Sequence, residues 1–176
     1  MLFSQHSLAT MLHGIVMGGA PLLGLAAALF YLYASGRPAG SAPAGSAPPA
    51  LGWVTVATSV AIWFTVIAGT FVIFPWYRAS PPAGATDLSP FPRALVLSKP
   101  DTAWLHAFAM ESKEHMPWIA AILGTAAAFV SVRYRSMLLD DESLRKMTMV
   151  FLAVCLALVG WASLLGVFVN KVAPVH

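Results

Sequence analysis

The residues best equipped for chemistry are the histidines and a knot of charge between residues 111 and 115. Glu111, Lys113, Glu114 and His115 stand together in a chain of 176 residues that is 59% hydrophobic and only 10% charged. They lie at the mouth of a long apolar run that opens with Pro117. An ionisable side chain at the centre of a bilayer costs about 3 kcal/mol or more, so one kept near such a run usually serves an ion path, a proton relay or a ligand.

His13 lies one to two turns inside another apolar stretch, and His6 is seven residues before it, so on a helix the two share a face. Gly14, Gly18 and Gly19 follow. Small residues beside an intramembrane imidazole let a flat ring such as a porphyrin lie against the backbone. Gly14-x-x-x-Gly18 is equally the spacing of close helix packing. Both readings stay open.

His115 could face His13 across a bundle. Two neutral imidazoles on facing helices are what axial ligation of a b-type haem iron requires. Glu111, one turn before His115, could accept its second ring N–H and fix the tautomer. The bland alternative makes the 111–115 cluster an interfacial salt-bridged patch. A third makes His115, Glu111 and Glu114 a metal-ion or proton site. His106 is nine residues before His115, roughly opposite on a continuous helix, so the two do not hold one cofactor. A second haem between His6 and His106 is conceivable but crowded. Met110 and Met116 flank the cluster, and His176 ends the chain.

The segment Phe74-Pro75-Trp76-Tyr77-Arg78 closes a second apolar run. Trp and Tyr at headgroup level beside a snorkelling Arg are ordinary interface anchors. Arg78 could instead pair with a haem propionate, a quinone head, Glu111 or Glu114.

What must position these groups is a set of four apolar runs, at about residues 11–33, 51–77, 117–134 and 147–169. Each approaches the roughly 20 residues that a spanning helix needs. The third is short unless it starts near 103, where Asp101 after Pro100 reads as a helix N-cap. Residues 101–116 are then either a separate interfacial helix or the start of the third span, kinked at Pro117. The mean hydropathy of +0.76 agrees with a multi-pass membrane protein. The first run lacks a basic flank and is too long for a signal-peptide core, so it is read as a retained span. The expected fold is therefore all-α, an integral membrane four-helix bundle forming one domain over residues 1–176. A flexible linker occupies 36–50, and a partly helical extramembrane loop joins helices 2 and 3.

Four spans put both termini on one face, side A, with the loop of residues 78–114. The linker and the Arg133–Lys146 turn, whose Asp140, Asp141 and Glu142 suit a helix start, fall on side B. Lysine and arginine divide five to five between the sides. The denser cluster at the helix ends is on side B, which places B in the cytoplasm and both termini in the periplasm of a bacterial inner membrane.

Cys155 is alone, so no internal disulfide is possible, and the Cys-x-x-Cys-His run of covalent haem attachment is missing. Gly-x-Ser-x-Gly, His-Glu-x-x-His and the Gly-Lys-Ser/Thr phosphate loop are likewise missing. The net charge of +3 is dispersed and offers no face for nucleic acid.

In layout the chain resembles small bacterial four-helix membrane proteins that serve as b-type cytochromes or as membrane subunits of respiratory complexes. The residues that carry the resemblance are His13, the Phe74–Arg78 exit and the run from Glu111 to Trp118. It departs from a two-haem wire because the second and fourth spans hold no histidine. The resemblance implies an integral subunit of an electron-transfer complex, at most one part of an oxidoreductase. It would hold one haem b near the periplasmic side through His13 and His115, with Arg78 or Lys113 on its propionates. Its partners would be membrane lipid, other membrane subunits, a periplasmic electron donor and quinone. Two alternatives remain: a cofactor-free accessory or scaffold subunit, for which Gly14 and Gly18 would be packing positions, and a small metal-ion or proton-coupled carrier.

Overall fold

A computed structural model describes residues 4–36 and 47–174. Most of the 36–50 linker and His176 lie outside the described residues. Among the described residues all regular structure is helical, and four long apolar helices, each long enough to cross a membrane, form a bundle. These are α1 (Gln5–Ser35), α2 (Pro49–Tyr77), α4 (Pro100–Arg133) and α5 (Glu142–Val172). A short helix, α3 (Pro92–Leu97), lies in the loop on side A. The spans pack as a square in chain order, α1 on α2, α2 on α4, α4 on α5, and α5 back on α1.

Residues 101–116 belong to α4, which runs without a break into the third span. Its N-cap is Lys99, in extended backbone, with Pro100 at the first helical position. Asp101 is therefore not the cap; it stands in the first turn, where a carboxylate still complements the helix dipole. At the start of α5 the acidic run behaves as its composition predicts, with the Asp141 side chain capping the Leu144 N–H at 3.0 Å.

Three of the four spans contain a π-helical turn: Leu12–Met17 in α1, Gly69–Ile73 in α2 and Leu105–Met110 in α4. All three fall at the side-A end. Each span so interrupted also carries a proline a few residues on, at Pro21, Pro75 and Pro117. A proline inside a helix supplies no N–H to the carbonyl four residues back and its ring crowds that carbonyl, and a wider turn accommodates both. The fourth span, α5, has no proline and no π turn.

Leu25, Leu32, Ile62, Ala120, Ala127, Leu152 and Cys155 fill the main core. A smaller second core sits at the side-A end, where Val96 of α3 meets Tyr77, Leu105, Ala109, Met110, Leu165 and Val169. The loop helix thus folds back over the bundle and seals the end at which the π turns occur.

Candidate functional site

The two N-terminal histidines both face α2, as antiparallel rungs one heptad apart. The His6 ring stacks on Trp76, with centroids 4.2 Å apart. His13, seven residues deeper, lies against Gly69, seven residues earlier. A Cβ at Gly69 would sit 3.0 Å from His13 Cε1 and 3.2 Å from its Nε2. The absent side chain at 69 is what makes room for the ring. His13 Nδ1 is buried and has no hydrogen-bond partner among the described residues.

Lys113 is the residue of α4 whose charge reaches His13, its ammonium acting electrostatically on the imidazole. The same ammonium packs on Gly166 of α5, where a Cβ would lie 2.8 Å from Nζ. His115, two residues on, is turned about 200° round the helix and is exposed. Its Nδ1 donates to the Glu111 backbone carbonyl at 2.8 Å, so the ring is oriented by main chain and not by the Glu111 carboxylate. Glu111 is itself exposed.

A second group of polar side chains sits under α3. The Tyr77 hydroxyl is 3.2 Å from His106 Nδ1. Tyr77 is only 3% exposed, so it is a core residue and not the interface anchor that its place in Phe74–Arg78 predicts. The charges of Arg93 and Glu114 both reach Tyr77. Arg93 Nε is buried without a partner among the described residues. His106 meets Tyr77, whereas His115 is exposed. Arg78 is exposed and its guanidinium lies over the Phe74 ring, 5.3 Å from the centroid.

The glycines divide differently from the sequence pattern. Gly14 and Gly19 have nothing within 4 Å of a built Cβ, whereas Gly18 is buried 3.5 Å from Ser163 Oγ of α5. The closest approach is at Gly24, where a Cβ would run into Thr58 of α2. Sequence reading passed over Gly24, Gly69 and Gly166, because a glycine in an apolar run carries no mark of which neighbour it admits.

For an iron held between two imidazoles the residues fit one side only. His13 offers a buried nitrogen without a partner among the described residues, whereas His115 is exposed. Among the described residues no three His, Cys, Asp or Glu side chains are grouped as a metal site. Comparison with family models, with curated proteins and with solved structures finds no match. Fold and site together define a multi-span membrane protein with His13, Tyr77, His106 and Lys113 at one end of its bundle.

Proposed function

We propose that this chain is an integral membrane subunit of an electron-transfer complex, with its working end on side A. The observation that carries the reading is His13, a half-buried imidazole set against Gly69, with its Nδ1 buried and unpartnered among the described residues. One haem b at this end would supply one-electron redox chemistry, with His13 as an axial nitrogen. Lys113 would be the inward cation for its acidic groups, and Arg78 a surface one. His115 faces outward, so it reaches the same group only by rotation of α4 or by serving a neighbouring subunit. A quinone and a periplasmic donor are the partners such a subunit would join, in a bacterial inner membrane with both termini periplasmic.

The test is a dithionite-reduced minus oxidised spectrum of the detergent-purified chain beside His13→Ala and His115→Ala. A haem α-band that disappears in His13→Ala supports the reading. Loss in His115→Ala as well would make that residue the second ligand. A flat spectrum from folded protein overturns it, and leaves an accessory subunit.

A proton-coupled carrier is the second reading. It is favoured by the same pair, because His13 and Lys113 can each gain or lose a proton inside the bundle. Proteoliposome uptake driven by a pH gradient, and abolished by Lys113→Met, would move the assignment there.

A further inference from the structure

Lys113 carries its charge into the bundle with nothing to balance it. It makes no hydrogen bond or ion pair with any described residue. Against its ammonium stands Gly166 of α5, which offers no side chain, and the π turn of α1 that bears His13, whose Nδ1 is buried and unpartnered, packs on the same helix. The carboxylates nearest in sequence are turned elsewhere: Glu111 is exposed and Glu114 acts on Tyr77. The cluster therefore holds a cation and an imidazole and lacks a carboxylate to balance the charge. A half-buried cation without a carboxylate partner is stabilised by an anion brought to it from outside.

The depth of the cluster says what kind of molecule brings it. Helix α5 has 31 residues, or about 46 Å, against a hydrocarbon thickness of about 30 Å. Gly166 lies six residues before Val172, about 9 Å from that end. That is the edge of the hydrocarbon, where the acidic end of an amphiphile rests.

We propose that Lys113 and His13 form the binding site for an oxyanion, carboxylate or phosphate, carried on a membrane-soluble molecule. The ammonium pairs with the anion and His13 Nδ1–H donates to a second oxygen. Gly166 and Gly69 are the notches that seat the two side chains. The site stands independently of haem, since a lipid headgroup and the acid group of a cofactor present the same chemistry.

The experiment is native mass spectrometry of the full chain in detergent, titrated separately with phosphatidylglycerol, oleate and dioleoylglycerol. The expected result is one anionic molecule retained, with occupancy falling at least ten-fold in Lys113→Gln. Lys171→Gln, an exposed cation near the same end, should leave retention unchanged. Retention of phosphatidylglycerol alone assigns a membrane phospholipid; retention of oleate alone assigns a carboxylate ligand. Should Lys113→Gln misfold, Gly166→Ala displaces the ammonium without removing it and must lower retention. Equal retention of dioleoylglycerol, which carries no oxyanion, or no loss in the variant that folds, overturns the proposal.

Discussion

The Thr65 hydroxyl of α2 lies 2.7 Å from the Met17 carbonyl of α1, the carbonyl that Pro21, four residues on, has no N–H to meet. The same hydroxyl is 2.8 Å from the Ala61 carbonyl of its own helix, so one proton serves two acceptors. In hydrocarbon an unmet carbonyl has no water to turn to, which makes Thr65 the repair of a proline break in the neighbouring span. Thr65→Val should destabilise the bundle by about 1 kcal/mol, within the range measured for hydrogen bonds between membrane helices. Thr65→Ser should restore it. In a Pro21→Ala background the cost should shrink, because the Met17 carbonyl regains its own helical donor. A double-mutant cycle of unfolding in detergent reads this directly, and strict additivity would disprove the coupling.

Packing between α1 and α2 turns on Gly24. A Cβ there would come within 3.1 Å of Thr58 Cβ and 3.2 Å of its Cγ2, and a Cβ cannot rotate away. Gly24→Ala should therefore cost about 1–3 kcal/mol through overpacking. Gly14→Ala and Gly19→Ala, which meet nothing, should be tolerated. Equal melting temperatures for all three variants would show that α1 and α2 are not held at this contact.

Beneath α3, removing the Tyr77 hydroxyl leaves the half-buried His106 without its partner. Tyr77→Phe should lower stability by about 1 kcal/mol, and should do so much less when His106 is already Phe. Thermal melts of the four proteins in one detergent measure the coupling.

The four helices were legible because runs of apolar residues of spanning length admit few other folds. The rotation of those helices about their own axes was not. Each π turn inserts one residue and turns everything beyond it by about 100°. The Leu105–Met110 turn thereby helps decide that Lys113, and not His115, looks inward. Spacing alone placed His6 and His13 on one face, and they do share α2 as a neighbour, but it could not supply Gly69 or Trp76 opposite them. Tyr77 was read as an anchor because Trp-Tyr-Arg at a helix end usually is one. Its burial depends on a loop helix folding back over it, a contact between segments that no local pattern encodes.

Outside the spans, Asp87 Oδ1 accepts the Ser89 N–H at 2.9 Å. That bond holds the Asp87 carboxyl below its ordinary value of 3.8. A carboxyl depressed in the folded state contributes order above its unfolded value and loses it as pH falls through the folded one. The turn at 87–89 should thus be ordered at neutral pH and loosen only in acid, below about pH 4. Amide exchange at Ser89 should be slow at neutral pH relative to Asp87→Asn, with the difference vanishing in acid. A difference that persists there would assign the order to something other than the carboxylate.

Gly69→Ala isolates the role of His13 without touching it. The added methyl meets the imidazole at 3.0–3.2 Å, and the obstacle is a ring held between helices, so the ring must shift by some tenths of an ångström. If His13 only fills space, the effect is a loss of about 1–3 kcal/mol from overpacking and nothing more. If His13 holds a ligand, Gly69→Ala should reproduce the binding defect of His13→Ala while leaving helical content unchanged. The comparison is made on purified protein by circular dichroism together with the reduced-minus-oxidised spectrum and the retained-lipid measurement. A Gly69→Ala protein that keeps every bound species of the wild type, though less stable, would reduce His13 to a packing residue.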